Sequence, residues 1–242
     1  MKSIVYRDVV TMDTSASLNK KLEQLKEVLP NGYSWNWGGD PVKITYGGVS
    51  LTTFISKTTL CGNHNGGSLS TCEYITFDKN GIPKCGGGKN YYNQCSGFAR
   101  LIGWAVTGKD PFRAYCKGKK WEKTVAVKGN ITITRDGKDG NPVEYNASNK
   151  ENDLDWNVDN LKPGDIIRVL NSSKTNGHHA FVTKVDGNTV TVVECNVDGH
   201  CNIRWGRTFT KAQLKGDLKQ MKKENNKTNR LLLAISKYSE YK

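Results

Sequence analysis

Apolar residues first recur at helical spacing at Leu18, Leu22, Leu25 and Leu29, behind Thr14, Ser15 and Ser17, each able to cap. The pattern predicts a helix over 16–29, stopped by Pro30-Asn31-Gly32. Tyr33, Trp35, Trp37, Gly38 and Gly39 follow with no clear period and read as irregular. Residues 61–90 hold three cysteines, His64 and seven glycines, and read as a loop that needs covalent staples to have one shape. From Asn93 the character changes. Gln94-Cys95-Ser96-Gly97-Phe98-Ala99-Arg100-Leu101-Ile102-Gly103-Trp104-Ala105 is apolar at helical spacing, with Cys95 at its beginning.

A second variable stretch, 109–160, is polar and basic, with turns expected at Asp139-Gly140 and Asn141-Pro142. Beyond Leu161-Lys162-Pro163-Gly164-Asp165 come three strand-like runs, 166–170, 179–185 and 189–194, the last two joined by the hairpin turn Asp186-Gly187-Asn188. Thr210 is placed to cap a basic helix over 211–224, and Leu231–Tyr238 returns as a closing strand. Loops, then a helix, then a mostly antiparallel sheet define the α+β class. No internal repeat is visible.

The 242 residues suffice for one sizeable domain or a domain with a smaller appendage. No run of about 18 apolar residues occurs, so no membrane span is expected. The formal charge of +13 gathers at 117–128 and 211–227. Such runs suit an anionic polymer or membrane surface, or a solvated face. Neither interleaves aromatics as a single-strand binder does, so nucleic acid is not expected. A monomer is expected.

Seven cysteines are an odd number, which suggests three bridges and one thiol with other work. Met1-Lys2-Ser3-Ile4 leads at once into Arg7 and Asp8, with no signal peptide visible. The cysteine count therefore carries the expectation of an exported or cell-envelope protein, against a cytosolic chain of reduced thiols.

Cys95 is the candidate nucleophile. A thiolate attacks, and a helix N-terminus or a nearby imidazolium lowers the thiol pKa that otherwise leaves little thiolate at neutral pH. Gln94 and Ser96 flank it as candidates for oxyanion or substrate contacts. Of four histidines, His64 and His200 lie in cysteine-rich loops, while His178 and His179 open a strand and alternate faces. His178 is preferred as base because it shares its face with small Ala180, over which a helix can pack closely. Glu194 and Asn196, two apart at the end of the next strand, are candidates to orient the imidazole. Cys195 between them points the other way and is expected to bridge to Cys201. Cys61-x-x-His64 with Cys72 and Cys85 has zinc-like chemistry but poor pair spacing, so neither metal nor cofactor is expected.

At these residues the chain resembles the NlpC/P60 and CHAP cysteine hydrolases of bacterial cell walls. Gln94-Cys95-Ser96-Gly97-Phe98-Ala99 is similar to their Asp-Cys-Ser-Gly-aromatic and Gln-Cys motifs. Lys162-Pro163-Gly164-Asp165-Ile166 resembles the turn into their first core strand, Gly177-His178-His179-Ala180 the Gly-His-x-Ala motif, and Glu194-Cys195-Asn196 the Glu-x-Asn pair. The four occur in family order over about 90–209, with a long gap that implies an insertion at about 109–160. Leu29-Pro30-Asn31-Gly32, Trp35, Trp37 and the cysteines from Cys61 also resemble the leader of secreted Firmicutes proteins. Residues 1–90 would then belong to the same unit as a catalytic domain over 91–242. The resemblance implies a papain-like fold, with the nucleophile at the N-terminus of a helix packed on a central antiparallel sheet. It further implies hydrolysis of peptidoglycan amides, as amidase or endopeptidase, with His178 as base and Glu194 or Asn196 orienting it. Peptidoglycan or another anionic wall polymer is the implied partner. A hydrolase acting on another amide, and a catalytically inactive wall-binding module, are the competing expectations.

Overall fold

The computed structural model describes residues 5–59, 61, 73–88, 94–112, 123–124, 154–171, 177–215, 230–236 and 238–242. Strand β1 (Asp8–Met12) leads into helix α1 (Leu18–Val28), whose N-cap Ser17 accepts a hydrogen bond from Lys20 N. Of the stripe that the spacing predicts, Leu22, Leu25 and Leu29 are buried and Leu18 is half-buried, and Val28 joins them. β2 (Ser34–Tyr46) and β3 (Val49–Ser56) form a hairpin, with Gly47 and Gly48 both left-handed in the turn, and β1 adds parallel to β2.

This corrects the irregular reading of the segment from Tyr33 to Gly39. Trp35 pairs with Ile55 and so does Asp40, so residues 36–39 bulge from a strand that otherwise continues. The aromatic and glycine cluster marks that bulge, not the end of the strand. The loop reading of 61–90 is likewise corrected in part, because β4 (Glu73–Phe77) and β5 (Pro83–Gly87) pair as an antiparallel hairpin. Residues 62–72, with His64 and Cys72, lie outside the described residues, as do Cys116, the basic run at 117–122 and 125–128, the rest of the 125–153 stretch and 216–229.

Helix α2 (Gln94–Thr107) is buried nearly all round, as its sequence of apolar residues demands. Phe98, Leu101, Ile102 and Ala105 are 0% exposed, and each large side chain so buried is worth about 1.5–3 kcal/mol against exposure. Next come β6 (Lys123–Thr124), α3 (Leu154–Asp159), β7 (Ile166–Asn171), β8 (Gly177–Asp186), β9 (Thr189–Cys195) and β10 (Ile203–Thr210). Helix α4 (Lys211–Leu214) carries the Thr210 cap as a full capping box with Gln213. The chain closes with β11 (Arg230–Ser236) and α5 (Tyr238–Tyr241).

The central sheet runs β10-β9-β8-β7-β11-β6, antiparallel at every pairing. Its two faces bury different layers. On one, Ile166, Phe181, Val193 and Cys195 join Phe98 and Leu101 of α2 and, beyond them, Leu25, Trp35 and Ile55. On the other, Ile167, Val169, Ala180, Val182, Val190 and Val192 form a second cluster with Val158, Phe209 and Leu214. The N-terminal elements therefore share one core with helix α2. Tyr33 and Ile203 exchange a backbone hydrogen bond across the same junction, Ile203 N donating over 2.8 Å.

The Pro163-Gly164-Asp165 turn fixes the chain's end. Gly164 has φ +95°, and a Cβ there would meet the Tyr238 ring at 2.4 Å. Asp165 accepts from Lys162 N and from Tyr238 N, and the Tyr241 hydroxyl donates to Gly164 O. The mixed architecture is α+β. Among the described residues no helix is long and apolar enough to cross a membrane.

Candidate active site

Gln94 has φ +55°, so the chain turns sharply before entering α2 and sets Cys95 in the first helical turn. Cys95 and Ser96 are half-buried there. The Cys95 sulfur is in hydrogen-bonding contact with His178 and His179. His178 Nε2 lies 2.8 Å from Glu194 Oε2, which leaves Nδ1 for the sulfur. A chain of contacts thus joins thiol, imidazole and carboxylate.

Electrostatics follow from that chain. Burial pushes the Cys95 thiol up, but the charge and hydrogen bond of His178, with help from His179, outweigh it and hold the group well below its ordinary value. Burial pulls His178 down, yet the partners Cys95 and Glu194 raise it to about 9. Glu194 is 0% exposed, and burial raises it. His178 and Arg207 more than compensate and keep it below the usual carboxylate range. At neutral pH the pair is thiolate and imidazolium.

The route to this arrangement differs from the one that alternation suggests. Helix α2 packs over the Phe181 and Val193 face, the face of His179, whereas Ala180 lies in the cluster on the opposite side. The small size of Ala180 therefore does not serve the packing of α2. Both imidazoles reach Cys95 because they open β8, at the margin of the sheet where the first turn of α2 sits. His178 is distinguished by its carboxylate; buried His179 lies 6.5 Å from the Phe112 ring, centre to centre.

Glu194 and Asn196 part company. Asn196 follows the end of β9 with φ +66°, and its Nδ2 donates to Gln94 Oε1 over 2.7 Å, while its Oδ1 accepts from Cys201 N. The shared face expected from a two-residue spacing ends with the strand. Glu194 faces His178; Asn196 fixes the side chain that precedes Cys95. The non-glycine residues with left-handed backbone among those described are Gln94, Asn196 and Cys201, all in this one network. Strain of this kind gathers at functional sites, at a cost of about 1–3 kcal/mol each.

The expected bridge between Cys195 and Cys201 is not made. Both are buried thiols in hydrogen-bonding contact, with Cys61 and Cys95 near enough to act on Cys195, which burial pushes up to about 11. The short loop is closed instead by Asn196 on Cys201 N and by Asp198 on His200 N and Asn202 Nδ2. Cys61 and Cys85 are thiols as well, so the three bridges expected from the odd count are not formed. His200 contacts Cys61 O and stands apart from the histidines that act on Cys95.

Arg207 is the residue that sequence reasoning missed. Its Nη1 donates to Glu194 Oε1 over 2.8 Å, and its guanidinium sits 4.9 Å from the centre of the Phe209 ring. Gly206, at φ +84°, is a bulge between Trp205 and Arg207. Before it Ile203 and Trp205 face the α2 layer; after it Phe209 faces the second cluster. Without the bulge Arg207 would point away from Glu194. The signal available in the sequence was a lone glycine inside an alternating strand.

No family model, curated protein or solved structure matches this chain. The described residues contain no group of three or more His, Cys, Asp or Glu arranged to hold a metal ion. Of the zinc-like set, Cys61 and Cys85 are described, and His64 and Cys72 are not.

Proposed function

We propose that the protein is a cysteine hydrolase of papain-like fold, secreted or held at the cell envelope, that cleaves amide bonds of bacterial peptidoglycan. The observation that carries the reading is His178 held between the Cys95 sulfur and the buried Glu194 carboxylate. A thiolate–imidazolium pair with an orienting carboxylate is the arrangement that acyl transfer from an amide requires. The order of the four motifs, Gln-Cys, Pro-Gly-Asp, Gly-His-His-Ala and Glu-Cys-Asn, adds the wall substrate and the fold family.

The Cys95 thiolate attacks the amide carbonyl carbon, and the negative charge moves to its oxygen. Backbone N–H groups of the first turn of α2 and the amide of Gln94 are the donors at hand for that oxyanion. The imidazolium of His178 then gives its Nδ1 proton to the leaving amine as the C–N bond breaks, leaving a thioester on Cys95. Water, losing a proton to His178, attacks the thioester; the acid leaves and the thiolate returns. Glu194 keeps Nε2–H directed to itself throughout. Peptidoglycan fixes the location at the envelope; the five described cysteines, all thiols, add no support for export.

Digestion of purified sacculi, with mass analysis of the fragments, tests the reading. Release of whole stem peptides means an amidase, and cut peptides mean an endopeptidase. Release by the wild type and none by Cys95→Ala is the expected result. No release from several wall types transfers the chemistry to another amide.

A further inference from the structure

Along the outer side of β10 runs an open groove of about 510 Å³, walled by Asn31, Asn202, Arg204, Trp205, Gly206 and Arg207. That volume falls within the range of clefts that take small ligands. Its floor touches the catalytic chain at one point, because Arg207 also holds Glu194. The groove therefore adjoins the carboxylate end of the Cys95–His178–Glu194 chain.

Several polar groups in it are only half satisfied. Arg207 gives Nη1 to Glu194 and lays its plane against Phe209; its other nitrogens make no hydrogen bond to a described residue. Arg204 reaches Asp198 at 3.2 Å through Nη2 alone, with 46% of its side chain exposed. Asn202 donates Nδ2 to Asp198, and its Oδ1 is shielded from water without a partner. Asp198 is already engaged by Asn202, Arg204 and His200 N, which hold it ionised below its ordinary value, and it cannot serve a second cation well.

The groove thus offers two guanidinium groups with N–H donors to spare beside the Trp205 ring. We infer that it binds a carboxylate-bearing peptide segment of the substrate, the carboxylate on Arg207 and Arg204 and the chain along Trp205. This deepens the amide-hydrolase reading and rests on it, since peptidoglycan stem peptides carry free carboxylates. Inorganic phosphate satisfies the arginines but has no apolar surface to lay along Trp205, so a peptide fits better than a phosphate polymer. The Trp205 indole is anchored through Nε1 to Leu29 O and forms a fixed wall for the segment.

The test uses full-length Cys95→Ala protein, which binds without turning over. The Trp205 indole N–H is followed by NMR, assigned with Trp205→Phe, during titration with N-acetyl-Ala-Glu, with N-acetyl-Ala-Gln-amide and with inorganic phosphate. Saturable shifts by the acid are expected, with affinity about tenfold or more above that of the amide and of phosphate. Arg204→Gln and Arg207→Gln should each weaken the acid about tenfold and leave the amide unchanged. Arg204 is exposed, so its variant keeps the test open should Arg207→Gln fold poorly. Equal affinity for acid and amide, tighter binding of phosphate, or no saturation overturns the inference. Binding here with inert sacculi sinks only the peptidoglycan reading; digestion of sacculi without binding here sinks only the groove.

Discussion

Asn196 Nδ2 lies 2.7 Å from Gln94 Oε1, across 102 positions of sequence, and both residues stand in left-handed backbone. The bond holds Gln94 by its amide oxygen and so fixes where the side chain beside Cys95 stands, which the proposed oxyanion contact depends on. Asn196→Ala should lower kcat by about tenfold to a thousandfold with little change in KM, in the range seen for loss of one oxyanion donor. Steady-state kinetics on a soluble amide substrate checks it, and an unchanged kcat sinks the role.

The paired charges of Cys95 and His178 set a pH window. Cys95 is a thiolate down to well below the ordinary thiol value, and the pair lasts until His178 loses its proton near 9. Alkylation of Cys95 by iodoacetamide should therefore stay fast at pH 6, where an ordinary thiol is almost wholly protonated. Above about 9 the rate should change as the imidazolium is lost. A single rise centred near the free-thiol value means that the ion pair is absent.

Arg207→Met removes a cation that lowers the Glu194 carboxyl. Glu194 then takes up a proton at higher pH, and His178 loses its ionised partner at higher pH. The acid limb of the pH–rate profile should move upward. Stability should fall by about 1–3 kcal/mol from the unpaired, buried Oε1. Arg207→Lys should restore part of both. A lowered melting temperature with an unmoved acid limb reduces Arg207 to a structural role.

Glu73 is buried and raised to about 8, chiefly by desolvation, although Thr53 and Phe54 N donate to it. The folded state therefore holds a proton that the unfolded chain gives up near its ordinary value. Between that value and about 8 the native state binds more protons, so this residue makes stability fall as pH rises. Glu73→Gln should flatten the decline. Denaturant titrations at pH 5, 7 and 8.5 read the difference, and parallel curves for both proteins reject the assignment.

Long periodic segments were legible in the sequence. The leucine stripe of α1, the run behind Cys95 and the strands after Pro163 all recur close to their expected bounds, because burial on one face writes itself into spacing. Strand β2 was hidden by the bulge at 36–39, where Gly38 and Gly39 imitate a loop. Cys95, His178 and Glu194 were found by chemistry and motif, and they meet. The argument for His178 from Ala180 failed, since face alternation describes the middle of a strand and not its first residues. Arg207 stayed hidden because its meaning depends on a register shift that composition does not announce. Cysteine parity misled for another reason: counting thiols says nothing of whether a loop is already closed by hydrogen bonds.

The bulge at Gly206 lets one edge strand serve two layers, its first half lining the nucleophile's side and its second half backing the carboxylate. Length is therefore constrained at that point more tightly than identity. Inserting one residue after Gly206, with the bulge kept, would rotate everything after it by half a turn of the pleat, exchanging Arg207 and Phe209 for Thr208 and Thr210 behind Glu194. A protein so lengthened by one residue would keep its charge and every group proposed here for catalysis, and still lose the cation that secures them.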